Sequence, residues 1–124
     1  MSKLTENYNG IYSLMLTPFN DDLTVDYKGY EEYAVWQANQ GVDHLFAVCG
    51  SSEMANLNIE ERIKLAELTV KNKGNTTVVA TANNEPSWFA QVEEVKRISL
   101  NVVVNRLQHF PFTKGAVGRR LDFR

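Results

Sequence analysis

The sequence predicts an α/β fold, because a strand pattern is followed by a helix pattern three times along the chain. The three predicted strands, residues 11–16, 42–48 and 76–80, are continuous apolar runs rather than alternating ones. Continuous runs are typical of strands that are buried on both faces of a parallel sheet. The spacing between the strand starts is that of βαβ units. We therefore predict a three-stranded parallel sheet covered by helices.

The first strand is expected to end at Thr17-Pro18, since proline cannot donate to a strand ladder. Asp26 is the predicted N-cap of the first helix, and Gly41 is the predicted residue at its end. The apolar side of this helix is read from residues that recur at helical spacing. They are Tyr27, Tyr30, Ala34 and Ala38, widened by Tyr33 and Trp36.

The second helix is predicted to begin at a capping box, in which Asn58 caps the helix and Glu61 reaches back to it. Gly74 is expected to close this helix. Its buried side is predicted from four apolar residues at helical spacing. They are Ile59, Ile63, Ala66 and Val70.

The third helix follows a loop in which Pro86 suits a first helical turn. Its apolar face is predicted from Trp88, Val92 and Val95, with Phe89 and Ile98 beside them. Trp88 and Phe89 are interpreted as core residues rather than as part of a ligand site.

The pattern is lost after Leu100, which divides the prediction into an N-terminal part, residues 1–100, and an aperiodic tail, residues 101–124. Residues 102–104 could form a fourth strand. Residues 106–124 carry five basic and one acidic side chain, whereas residues 1–105 carry eight basic and fourteen acidic ones. We expect a poorly ordered tail, and the change of sign and periodicity favours a frame-shifted or truncated end.

The composition is that of an ordinary globular protein, with 44% hydrophobic and 23% charged residues. A net charge of −2 does not favour nucleic-acid binding, and no apolar run is long enough for a membrane span. The N-terminal residues lack the apolar core of a secretory signal, so we expect a cytoplasmic protein. Cys49 is the single cysteine, and no His, Asp or Glu spacing suggests a metal site.

Hydroxyl groups and a carboxylate follow the second predicted strand, at the edge where parallel α/β folds bind ligands. They belong to Gly50-Ser51-Ser52-Glu53. Glycine permits close approach of the backbone, serine hydroxyls can donate to a carboxylate, and backbone N–H groups at such a turn can bind an anion. The same serines could instead cap their own turn, and the residues alone leave both interpretations open.

Polar residues also follow the other two strands at this edge. Thr17 could line the same pocket, although such a residue more often stops a strand and orders a loop. Asn83 and Asn84 could orient a substrate through their amides, and turn formation explains them equally well. Cys49 is expected to act as a small buried hydrophobe.

A set of short motifs from residue 10 to about residue 100 resembles the N-terminal part of the dihydrodipicolinate synthase / N-acetylneuraminate lyase family of class I, pyruvate-dependent aldolases. The family's second-strand motif ends in a Glu that is followed eight positions later by an acidic or amide residue, as Glu53 is followed by Glu61 here. The motifs that carry the resemblance are Gly10-Ile11, Leu16-Thr17-Pro18-Phe19, Gly41-Val42-Asp43, Gly50-Ser51-Ser52-Glu53, Leu57, Glu60-Glu61-Arg62 and Val78-Val79-Ala80.

The resemblance implies a TIM (β/α)8 barrel, usually a homotetramer, of which this chain supplies the first three β/α units. It implies that a lysine after the sixth strand forms a Schiff base with pyruvate or another 2-oxo acid, which makes a carbanion at the adjacent carbon accessible. A tyrosine after the fifth strand relays protons, and no metal or organic cofactor is needed. Together with the positions at the sheet edge, the resemblance gives Thr17, Gly50, Ser51 and Ser52 as the predicted substrate-binding residues.

Two departures from the family pattern change what the resemblance implies. With Glu53 in register, Ser51 matches the carboxylate-binding second threonine of the family, and Gly50 removes the first hydroxyl. A barrel of this kind takes about 250 residues, and neither the Schiff-base lysine nor the relay tyrosine has a counterpart in this chain. Lys114 is interpreted as a tail residue. The chain is therefore predicted to be catalytically inactive on its own.

The leading interpretation is a truncated relative of a carbon–carbon lyase or synthase, similar to 4-hydroxy-tetrahydrodipicolinate synthase or N-acetylneuraminate lyase. The alternative is a non-enzymatic α/β interaction module that self-associates through open sheet edges. A small flavodoxin-like domain is a third possibility, but residues 17–20 do not provide the phosphate-binding loop it requires.

Overall fold

The computed structural model describes residues 9–101 of the 124-residue chain. Within these residues strands and helices alternate: β1 (Tyr12–Leu14), α1 (Tyr27–Ala38), β2 (His44–Ala47), α2 (Ile59–Lys71), β3 (Thr77–Ala80) and α3 (Trp88–Asn101). Two short 3-10 turns, Gly50–Ser52 and Met54–Asn56, lie between β2 and α2. The possible fourth strand at residues 102–104, the tail and Lys114 lie outside the described residues.

The three strands form a parallel sheet in the order β1-β2-β3. Leu45 pairs with Val78 and Ala47 pairs with Ala80 across β2 and β3. Because strand residues two apart share a face, these four side chains lie on one face of the sheet. They belong to a single buried cluster with Tyr30 and Ala34 of α1 and Leu65 and Ala66 of α2. The α/β fold with a helix-covered parallel sheet is therefore confirmed.

The starts of α1 and α2 are fixed by the predicted caps. Asp26 Oδ1 accepts a hydrogen bond from Gly29 N at 2.9 Å. Asn58 Oδ1 accepts from Glu61 N at 2.8 Å, and Glu61 Oε1 accepts from Asn58 N at 3.1 Å. Each bond satisfies a backbone N–H that has no partner inside the helix, so the sequence predicts both starts correctly.

The ends of α1 and α2 differ from the prediction. Asn39 and Asn72 cap the two helices. Gly41 and Gly74 each lie two residues further on, with φ angles of 79° and 55°. These glycines therefore shape the turns that lead into β2 and β3, where a left-handed backbone is needed, and do not close the helices.

Three aromatic side chains predicted to lie on apolar helix faces are exposed, so this part of the prediction is wrong. Trp36 is 58% exposed, Trp88 40% and Phe89 74%. Trp36 stacks on Tyr33 with ring centroids 6.4 Å apart, on a flank of α1 outside the buried cluster. The helical period correctly predicts that Ile98 is buried. It does not show how much of each helix the sheet covers, and this decides whether the aromatic side chains are buried.

The start of α3 also differs from the prediction. Ser87 Oγ accepts a hydrogen bond from Ala90 N at 3.1 Å and caps the helix. Pro86 therefore precedes the cap and lies outside the first turn.

Candidate functional site

The candidate site is the edge of the sheet at the carboxyl ends of the strands, where the segments after β1, β2 and β3 lie side by side. Met15 N donates to Phe46 O at 2.9 Å, and Thr81 N donates to Ala47 O at 3.3 Å. These bonds continue the sheet one residue past the end of β1 and of β3. The polar residues that follow each strand therefore share one edge, as predicted.

The turn after β2, residues 48–53, contains two non-glycine residues in the left-handed region. Val48 has a φ of 55° and Glu53 a φ of 60°. A β-branched residue with positive φ is an outlier. Val48 is only 1% exposed, so the surrounding core holds this conformation in place. Backbone strain of this kind is concentrated at ligand sites.

Ser52 and Thr17 hold this turn against the segment after β1. Ser52 is 1% exposed, and its hydroxyl accepts from Cys49 N at 3.0 Å and donates to Met15 O. Thr17 Oγ1 donates to Ser52 O at 2.6 Å. Both hydroxyls, which the sequence placed among the substrate ligands, are thus used inside the protein. Two adjacent serines look alike in sequence, and only the path of the turn decides which one is buried.

Gly50, Ser51 and Glu53 are the exposed residues of the same turn. The Ser51 hydroxyl and the N–H groups of Gly50 and Ser51 make no hydrogen bond to any residue between 9 and 101. A Cβ atom built on Gly50 would have no atom within 4 Å. This position is therefore open space, and the backbone there does not require glycine. Gly50 and Ser51 present one hydroxyl and two N–H donors, and the exposed Glu53 carboxylate accepts from Asn56 Nδ2 at 3.4 Å.

The two asparagines of the loop after β3, Asn83 and Asn84, differ in their hydrogen bonds. Asn84 Nδ2 donates to Met54 O at 3.2 Å, which ties this loop to the segment after β2. Asn83 is half-buried, and its amide makes no hydrogen bond within the described part of the chain. The Asn84 amide therefore joins two segments and does not form a local turn, while the Asn83 amide has no partner between residues 9 and 101.

The sequence reasoning missed a buried charge network beside this edge. Arg62 of α2 is 2% exposed, and its guanidinium donates to Glu85 Oε1 at 2.6 Å, Glu94 Oε1 at 3.2 Å and Leu57 O at 2.6 Å. One signal was available: Arg62 lies three residues after Ile59 and four before Ala66, on the stripe predicted to be apolar. An arginine at such a position implies a buried acidic partner.

Burial raises the pKa of the Glu94 carboxyl, while backbone N–H donors and the Arg62 guanidinium act in the opposite direction. Glu94 is 1% exposed. Hydrogen bonds from protein groups therefore take the place of hydration at this carboxylate.

A groove of about 350 Å³ lies between α2 and α3. Ile59, Phe89 and Arg97 line it together with three carboxylates, those of Glu85, Glu93 and Glu94. The excess of negative charge disfavours an anionic ligand there.

Two further observations concern the described residues alone. No group of three or more His, Cys, Asp and Glu side chains between residues 9 and 101 is placed to hold a metal ion. In the same part of the chain, every helix falls short of the length and apolar character that crossing a bilayer requires.

Comparison with known proteins gives consistent matches over this part of the chain. The sequence model of the Dihydrodipicolinate synthetase family matches residues 7–84. The 4-hydroxy-tetrahydrodipicolinate synthase of Shewanella pealeana is 35% identical over 92 residues, which are 74% of this chain and 31% of that protein.

Two solved structures share the fold. Dihydrodipicolinate synthase from Bacillus clausii superposes with a TM-score of 0.71 and 23% identity, over 79% of this chain and 33% of that one. N-acetylneuraminate lyase from Fusobacterium nucleatum superposes with a TM-score of 0.69 and 23% identity, over 77% and 33%. The chain therefore spans about a third of the length of these relatives.

Proposed function

The chain belongs to the Dihydrodipicolinate synthetase family, and from this premise we propose that it carries the carboxylate-binding wall of a Schiff-base-forming lyase or synthase. The substrate class is pyruvate or another small 2-oxo acid. The described units would be the first three of a TIM (β/α)8 barrel, and the fold of the two solved structures supports this.

The observation that carries the proposal is the exposed Ser51 hydroxyl on a rigidly held turn. It lies beside the N–H groups of Gly50 and Ser51, and none of the three donors is used by the described residues. A carboxylate accepts hydrogen bonds only, so a hydroxyl and two N–H groups suit it chemically. Ser51 is also the residue that matches the family's carboxylate-binding threonine.

The residues of the turn then take different roles. Ser51 donates to the substrate carboxylate, and Gly50 contributes its N–H group and open space. Ser52 and Thr17 hold the turn and do not contact the substrate, because their hydroxyls are bonded to backbone atoms.

The bond-making chemistry would require a lysine and a tyrosine at positions that the resemblance places after the matched residues 7–84. In the family resemblance, a lysine forms the iminium and a tyrosine relays protons, and both come from later β/α units. The chain alone is therefore proposed to bind a 2-oxo acid without turning it over. Cytoplasmic location and homotetrameric assembly also stay predictions. The interaction-module alternative finds no support among the relatives described above, which are all named as synthases or lyases.

Calorimetry with pyruvate tests the binding proposal. Ser51→Ala should weaken binding about tenfold, the value of a hydrogen bond to a charged group. Asn56→Ala is the matched control, because Asn56 is an exposed polar residue in the neighbouring 3-10 turn. Equal affinities of the Ser51→Ala variant and the unaltered chain would refute the assignment.

Borohydride reduction in the presence of pyruvate tests the proposed inactivity. A lysine amine and the 2-oxo group form an iminium with loss of water, and borohydride supplies the hydride that reduces it to a stable secondary amine, so the lysine gains the mass of the substrate less one oxygen atom. We expect no adduct. A covalent adduct on any lysine of this chain would show that it forms the Schiff base itself.

A further inference from the structure

The buried network of Arg62, Glu85 and Glu94 reaches the loop after β3 through the backbone. Glu94 Oε2 accepts hydrogen bonds from two successive N–H groups, Asn84 N at 2.9 Å and Glu85 N at 3.1 Å. Glu94 Oε1 accepts from Arg62 Nε at 3.2 Å. Both oxygens of a carboxylate with a fully buried side chain are thus used, one by α2 and the other by the loop.

The same network reaches the segment after β2. Arg62 Nη1 donates to Leu57 O at 2.6 Å, at the end of the second 3-10 turn. Asn84 Nδ2 donates to Met54 O at 3.2 Å, at the start of that turn. A second bond, from Gln91 Nε2 to Glu85 O at 2.9 Å, attaches the loop to α3. The two segments that border the candidate site are therefore joined at both ends of the second 3-10 turn.

A buried ion pair is poor evidence of a contribution to stability, because the loss of hydration offsets much of the charge attraction. Apolar side chains of similar volume frequently replace such pairs without loss of stability. An apolar pair cannot accept hydrogen bonds, so it would not hold the N–H groups of Asn84 and Glu85 in one orientation. Fully bonded polar networks specify one arrangement of the elements they join.

We propose that Arg62 and Glu94 are positioning residues for the 2-oxo acid site: they hold the loop after β3, which carries Asn83, in one arrangement against the turn after β2, which carries Ser51. The proposal rests on the proposed function for its substrate, but not for the clamp itself. Neither side chain contacts the substrate in this account.

The double variant Arg62→Met/Glu94→Met tests the proposal, since it removes both charges and keeps apolar volume in the core. Its matched control is Lys96→Met/Glu93→Met. This variant removes the exposed ion pair of α3, in which Lys96 Nζ and Glu93 Oε1 lie 3.2 Å apart. We expect the first variant to remain folded, because apolar side chains replace the buried charges, and the control to melt like the unaltered chain. In the first variant alone, the amide hydrogens of Asn84 and Glu85 should exchange about tenfold faster and pyruvate affinity should fall by a similar factor, while exchange at Leu45 and Val78 stays unchanged.

Unchanged exchange at Asn84 and Glu85 in a folded double variant would overturn the proposal. The unaltered chain supplies a measurement that does not depend on how the variant folds. Asn84 and Glu85 should exchange about tenfold more slowly than Asn83, whose N–H has no acceptor among the described residues. Equal rates would also overturn it. If the unaltered chain does not bind pyruvate, the proposed function fails, and the exchange rates still decide whether the clamp exists.

Discussion

The turn after β2 and the loop after β3 border the same sheet edge, but they are held by different chemistry. Two neutral hydroxyls, those of Ser52 and Thr17, hold the turn through bonds to backbone atoms. A buried carboxylate and a buried guanidinium hold the loop. A neutral hydrogen bond contributes a modest free energy. Removing one member of a buried ion pair costs more, because it leaves the other charge without a partner. The two segments should therefore respond very differently to the loss of a single side chain.

The largest effect is expected from Arg62→Met, which leaves Glu94 as a buried carboxylate without its cation. We expect a loss of about 3–5 kcal/mol in the free energy of unfolding, measured by urea denaturation. Lys96→Met removes a cation from a half-exposed pair on α3, and its effect should stay within about 0.5 kcal/mol. Similar losses in the two variants would mean that the charge network does not hold the loop.

A smaller effect is expected from Ser52→Ala in the turn. Cys49 N loses its acceptor and Met15 O loses its donor in a buried site, which should cost about 1–3 kcal/mol. The neighbouring Ser51→Ala variant should change the free energy of unfolding by less than about 0.5 kcal/mol, because that hydroxyl is exposed. If the two alanine variants are equally stable, the distinction between a holding serine and a ligand serine is wrong.

The loop after β3 should also depend on pH, because the Glu94 carboxyl group holds it. Burial raises the pKa of Glu94 above its ordinary value of 4.5, against the effects of backbone N–H groups and Arg62. A carboxyl group with a raised pKa in the folded state adds stability below its ordinary pKa, and that contribution is lost as the pH rises through the raised value.

Glu94→Gln removes this titration. The stability of the unaltered chain relative to this variant should therefore fall as the pH rises from below 4.5 through the raised pKa. Glu93→Gln, on the exposed side of the same helix, is the matched control for the loss of one carboxyl group. A difference that is flat, or that grows with pH, would contradict the assignment.

The smallest effect on stability is expected from Gly50→Ser. A Cβ atom there has nothing within 4 Å, so the free energy of unfolding should change by no more than about 0.5 kcal/mol. The added hydroxyl restores the one that the family motif carries and should tighten pyruvate binding a few-fold. If calorimetry shows that this variant binds pyruvate more weakly than the unaltered chain, the assignment of Gly50 to the pyruvate site is wrong.

The sequence predicts the fold and the edge correctly because both depend on local patterns. Continuous apolar strands identify the parallel sheet, and Asp26 and Asn58 identify two helix starts. The roles of Ser51 and Ser52 cannot be separated in this way, since they depend on a turn with left-handed Val48 and Glu53. The exposure of Trp36, Trp88 and Phe89 is set by the extent of the sheet, which no helical period records.

The charge network shows a different kind of limit. Arg62, Glu85 and Glu94 are separated by up to 32 positions along the chain, and each is an ordinary charged residue in sequence. Only the position of Arg62 on an apolar stripe points to the network. Its partners become evident once α2, α3 and the loop after β3 are packed together.

The most direct test of the central claim is an amide NMR titration of the chain with pyruvate. We predict that the largest shifts occur at Gly50 and Ser51 and that Ser51→Ala raises the pyruvate concentration needed for half of the maximal shift about tenfold. Shifts that are largest at Arg97 and Phe89, in the groove between α2 and α3, and that survive the Ser51→Ala change would contradict the account.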